Sequence, residues 1–137
     1  MAQPSIESLL AALKDESEPK RATATEALWQ IWFNQKGEPG HQILQRSQRL
    51  LSEGQFEAAE ALLSDTIASF PDFAEARNRR AVLYFLQKRY EAAKADCQQV
   101  LSLVPYHFGA LHGLGLCYAS LGCYPEAIEA FRQALDI

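Results

Sequence analysis

Residues 114–134 read LGLCYASLGCYPEAIEAFRQA, and the reading of the whole chain turns on them. Thirty-four residues earlier, 80–100 read RAVLYFLQKRYEAAKADCQQV; thirty-four before that, 46–66 read RSQRLLSEGQFEAAEALLSDT. Laid over one another, the three stretches agree in columns. Ala59, Ala93 and Ala127 coincide, as do Phe56, Tyr90 and Tyr124, and Leu50, Tyr84 and Tyr118. Leu63, Cys97 and Phe131 share a step with Ile67, Leu101 and Leu135, and the small residues Ser47, Ala81 and Gly115 keep it too. Pro71 and Pro105 are also 34 apart. Self-similarity at a fixed step of this length marks a stack of supersecondary units, each burying its apolar face on the next.

Within each copy the grammar is helical. Phe56, Ala59, Leu63, Thr66 and Ile67 follow the three-and-four spacing of a helix stripe, and Tyr90, Ala93, Cys97, Val100 and Leu101 repeat it. One helix of each pair ends near Gly54, Lys88 or Gly122 and the next begins at once. Proline then closes the pair, because it cannot continue the hydrogen-bond ladder. Asp72, with Glu75 three residues on, predicts a capping-box start for the following helix. Short side chains such as Ala59 and Ala81 are what two antiparallel helices need for close approach.

A 34-residue helix–turn–helix with this aromatic, small-residue and proline pattern resembles the tetratricopeptide repeat. Leu114, Gly115, Tyr118, Gly122, Ala127, Phe131 and Ala134 match that family's pattern best, while Arg77, Arg80 and Lys88 depart from it. The resemblance implies an all-α, right-handed solenoid of three helix pairs, over 40–73, 74–107 and 108–137. Its concave face is built from the first helix of each pair. Carried over, the resemblance places His41, Leu44, Gln48 and Leu51 on that face, then Glu75, Asn78, Val82 and Phe85, then Gly109, His112, Leu116 and Ala119. The partner-binding set expected from it is Leu44, Gln48, Asn78, Arg79, Val82, Phe85, His112 and Leu116. Asn78 is suited to a peptide backbone, and the apolar members to one side of an extended segment or a helix. One subfamily holds the C-terminal carboxylate of chaperones. The matching positions here are Leu44, Gln48, Arg79, Gly109 and Gly113, none of which carries the required residue.

Residues 1–39 fall outside the repeat. Ser5 to Lys14 reads as a short amphipathic helix, and a second runs from Ala22 to Gln35, with Ser17 and Pro19 at its entry and Gly37–Gly40 at its end. This pair is expected to cap the solenoid, since terminal units of repeat arrays are atypical. The alternative is a partner-binding appendage using Trp29 or Phe33. At the other end, Asp136 and Ile137 fall inside the last helix, leaving an apolar flank that would suit a homodimer or another subunit.

The 137 residues are 48% hydrophobic and 22% charged, which excludes wholesale disorder. A net charge of −4 argues against bulk attraction to nucleic acid. The charge is uneven, however: −2, −3, +3 and −2 over 1–39, 40–73, 74–107 and 108–137. Arg77, Arg79, Arg80, Lys88 and Arg89 make the middle copy basic, so a small RNA- or phosphate-binding module is the rival reading. Arg80 is expected to pair inside the fold, with Asp96, and Arg79 is free to meet an acidic partner. Glu7 interrupts the first apolar run and no basic segment precedes it, so no secretory signal is expected. Residues 97–125 lack Asp, Glu, Lys and Arg but hold Pro105 and four glycines, which argues against a membrane span. Three cysteines, none spaced as C-x-x-C, suggest free thiols and a cytoplasmic setting. His107 and His112 are five apart, on different helix faces, and no metalloprotease, phosphate-loop or nucleophile-elbow motif occurs. The reading is a non-catalytic adaptor or assembly factor, without metal or cofactor, that shows a rigid groove to another protein.

Overall fold

The computed structural model describes residues 5–137, so Met1–Pro4 of the expected cap lie outside the described residues. The described chain is helical, without strands. Its elements are α1 (Ile6–Ala12), α2 (Glu18–Phe33), α3 (Gly37–Ser52), α4 (Phe56–Ser69), α5 (Ala74–Leu86), α6 (Tyr90–Leu103), α7 (Phe108–Ser120) and α8 (Tyr124–Leu135). From α3 onward they form antiparallel pairs: α3 with α4, α5 with α6, α7 with α8.

The 34-residue step is visible in the backbone itself. Gln55, Arg89 and Cys123 each donate their N–H to the carbonyl five residues back, on Leu50, Tyr84 and Tyr118, at 2.8 Å in all three cases. Gly54, Lys88 and Gly122 each donate to the carbonyl three back, at 2.9–3.1 Å. These two bonds define a Schellman turn, which needs a left-handed residue at its corner. Gly54 and Gly122 take φ of 73° and 79°, and Lys88 is held at 61°. The first helix of each pair thus stops because its last carbonyls are satisfied by the turn.

Side-chain size is traded across the pairs. Gly115 faces the large Phe131, where an added Cβ would lie 2.5 Å from the ring. In the preceding pair Ala81 meets the smaller Cys97 in one buried cluster. Between pairs, Phe73 fills the space among Leu44, Leu63, Ile67 and Ala76. Burying a Phe fully stabilises by roughly 1.5–3 kcal/mol, so this joint is a principal source of cohesion. Arg80 spans three helices: its Nε and Nη2 bind both oxygens of Asp96 at 2.7 and 2.8 Å, and its Nη1 reaches Ser64 Oγ at 3.2 Å. The expected Arg80–Asp96 pair is present, and the Asp96 bond raises the Arg80 pKa further above neutrality.

Three local expectations need correction. Gly37–Gly40 does not end α2, which stops at Phe33 with Asn34 as its cap; the stretch opens α3, where Gly37 turns the chain at φ 67° and Pro39 sits in the first turn, where a missing N–H costs nothing. Asp72 does not cap α5. Its carboxylate is taken by Lys36 Nζ at 2.8 Å, which holds it below the ordinary Asp range, and Phe73 occupies the cap position. Glu75, expected on the exposed concave face, is fully buried.

α1 packs on α2, and α2 touches α3 and α5. Its aromatic side chains reach further still, to the turn between α6 and α7, where Trp32 stacks on His107 at 4.0 Å. The linker is tied down where Gln35 donates to the Asp72 carbonyl at 2.9 Å and Lys36 meets the Asp72 carboxylate.

Candidate functional site

Two depressions lie along the first helices of the pairs. The larger, about 230 Å³, is lined by Leu44, Gln48 and Arg79 of the expected set, with His41, Gln45 and Phe33. The second, about 180 Å³, lies between α5 and α7. Asn78, Val82, Phe85 and Leu116 of the expected set line it, with Gly109 and Gly113 beside them and Ala81, Cys97 and Cys117 below. Seven of the eight expected residues therefore share these two hollows. His112 belongs to neither; it lies edge-on to the Phe131 ring of α8 at 5.7 Å.

Exposure separates contact residues from supporting ones. Val82 and Leu116 are 42% and 38% exposed, large apolar side chains facing each other from neighbouring helices. Leu44 and Asn78 are buried at 4% and 8%. Asn78 Nδ2 donates to Glu75 Oε1 at 3.1 Å, which engages one of its two N–H donors and leaves the other, with the carbonyl oxygen, for a ligand. Gln48 Oε1 accepts from Arg79 Nη1 at 2.8 Å, which steadies the guanidinium while its face rests 5.2 Å from the centre of the Phe33 ring.

Beneath this surface lies a polar relay that sequence reasoning missed. His107 caps α7 through Nδ1, which accepts the Ala110 N–H at 3.0 Å. That bond assigns the proton to Nε2, which donates to Glu75 Oε2 at 3.1 Å. Both residues are 0% exposed, and the imidazole face is covered by Trp32. With both ring nitrogens engaged and the face closed, the imidazole has no free lone pair for substrate. It fixes the α5–α7 spacing. The hydrogen bond between Cys97 and Cys117 and then burial push the Cys97 thiol well above the ordinary range, while the same bond lowers the Cys117 thiol.

The basic residues of the middle copy are largely spoken for. Arg77 lies 4.0 Å from Asp96, Arg79 3.7 Å from Glu75, and Arg89 2.8 Å from Glu60, with its guanidinium over Tyr84. Among the described residues, no helix is long and apolar enough to cross a membrane, and no group of three or more His, Cys, Asp or Glu is placed to hold a metal ion.

The comparisons agree with this architecture. A family model described as tetratricopeptide repeat matches residues 72–137. A TPR repeat-containing protein of Rhizobium etli is 32% identical over 133 residues, covering 96% of this chain; the chain spans 65% of that relative's length. Among solved structures, the second TPR of Spaghetti (RPAP3), bound to the HSP90 peptide SRMEEVD, superposes with a TM-score of 0.64 at 28% identity, over 66% of this chain and 84% of that one. A crystal structure of MamA gives a TM-score of 0.66 at 23% identity, over 96% of this chain and 77% of that one, a likeness of fold. Repeated columns, repeated Schellman turns and these matches together make the chain a member of the tetratricopeptide-repeat family.

Proposed function

We propose that the chain is a non-catalytic adaptor that holds a segment of another protein in the cleft between α5 and α7. The observation that carries this reading is the pair of exposed apolar side chains, Val82 and Leu116, above a cleft whose walls are fixed by buried bonds. Because the walls are already ordered, docking costs little conformational entropy on this side. Leu116, Val82 and Phe85 take the apolar side of an extended or helical segment, and the Asn78 carbonyl faces its backbone. A related structure in the family holds a peptide, which supports the class of ligand. The chaperone tail itself is not proposed, because none of Leu44, Gln48, Arg79, Gly109 and Gly113 is the residue that the carboxylate-holding subfamily requires there.

The division proposed is 1–39 as the N-terminal helical unit and 40–73, 74–107 and 108–137 as repeats, with a cytoplasmic setting suited to three free thiols. The RNA- or phosphate-binding alternative loses support from the ion pairs that occupy Arg77, Arg79, Arg80 and Arg89. A homodimer through α8 is favoured by Tyr124, Ile128 and Leu135, which are 63%, 58% and 84% exposed. Sedimentation showing one monomeric species over a wide concentration range would count against it.

The test of the groove uses Val82→Glu with Leu116→Glu, both exposed enough to leave the fold intact. Partner capture by the native chain is expected to disappear with helicity unchanged. Undiminished capture by the variant would move the site elsewhere. Asn78→Ala is a poorer probe, since it strips Glu75 of a buried bond.

A further inference from the structure

We propose that α2 is a displaceable occupant of the groove, and that its seat is a binding surface for a partner helix presenting aromatic rings one turn apart. This rests on the reading of the concave face as the partner surface. Trp29 fits against Gly109, where a Cβ would lie 2.6 Å from the indole, and Gly109 also lines the α5–α7 cleft. The seat and the cleft are therefore continuous. Trp32 covers His107, and Phe33 lies under Arg79.

The seat is shaped by the repeats and not by α2. His107 is held by Ala110 and Glu75, and the notch at Gly109 is the absence of a side chain. Its fit to α2 is incomplete in polar terms. Trp32 Nε1 is buried without a hydrogen-bond partner, which weakens the contact. The hairpin can leave as a unit: among the helices α1 touches only α2, and Gln35 and Lys36, bonded to Asp72, stay with the repeats when α2 lifts. A tethered segment acts at an effective concentration in the millimolar range, so α2 excludes weak competitors and yields to a helix that fills the same aromatic positions.

The probe is a labelled synthetic peptide of residues 17–36. The seat is vacated in the full chain by Trp29→Ala, Trp32→Ala and Phe33→Ala together. The vacated chain is expected to bind the peptide roughly tenfold or more tighter than the native chain, whose tether competes. Adding Gly109→Leu to the vacated chain fills the notch and should abolish binding. Hydrogen exchange on the native chain reads the same opening without substitutions: amides of α1 and α2 are expected to exchange roughly tenfold or more faster than those of α5 and α7. Equal protection of the two regions, or a helical vacated chain that ignores the peptide, would overturn the proposal. Either failure leaves the cleft reading standing, because Val82→Glu with Leu116→Glu tests that separately.

Discussion

From α3 to α8 the same turn is built three times with the same two hydrogen bonds, whereas α1 and α2 are attached by contacts that occur once: rings against His107, an apolar cluster with Val104, Tyr106 and Phe108, and the bonds of Gln35 and Lys36 to Asp72. The difference separates two ways of placing a helix. In the repeats, position follows from local geometry, since each Schellman turn sets the angle at which the next helix leaves. In the hairpin, position follows from shape, Trp29 packing where Gly109 of α7 lacks a Cβ. Cohesion should follow the same division, with the repeats unfolding together and the hairpin loosening on its own. Both tryptophans of the chain lie on α2, so indole fluorescence reports the hairpin while far-ultraviolet circular dichroism reports mainly the repeats.

The largest effect is expected at Phe73. Phe73→Ala empties the joint between the first two helix pairs and should cost about 4 kcal/mol in urea unfolding, moving the dichroism midpoint. An effect confined to fluorescence would break the division. Asp96→Asn comes next. It leaves Arg80 and Arg77 facing a neutral amide in a nearly buried site, and a loss of about 3 kcal/mol is expected by the same measurement. Lys88→Gly should act the other way. Relief of the left-handed corner is expected to stabilise the repeats by about 1 kcal/mol, with the fluorescence of the hairpin unchanged.

The smallest effect concerns pH. The hydrogen bond from Lys36 lowers the Asp72 pKa below its unfolded value, so the bond contributes above that unfolded value and fades as pH falls through the folded one. Acidification below about pH 4 should therefore speed amide exchange in residues 33–37 before it affects α5 or α7. Loss of protection in α5 first would contradict that order.

What the sequence displays follows the same boundary. Caps, helix ends and small-residue columns repeat, and repetition makes them legible in a single chain. The groove set is implied by the family resemblance that the repetition brings to light, and seven of its eight residues line the two hollows. The Glu75–His107 bond links residues 32 apart with no periodic signature, so Glu75 reads as a surface acid and His107 as a turn residue. Gly109 is open to a reading as helix packing, and its real neighbour, Trp29, is 80 positions away. Asp72 followed by Glu75 satisfies the capping-box spacing, but Lys36 and His107 offer both carboxylates stronger partners. Such choices are made by tertiary contact, and local spacing does not encode them.

The claim at the centre is that partners meet this chain on the concave side, between α5 and α7. Photo-crosslinking with a benzophenone side chain at position 82, set against the same group at exposed position 57 on α4, tests it most directly. Partner adducts formed from position 82 and absent from position 57 are the predicted result. Adducts from position 57 alone would contradict it.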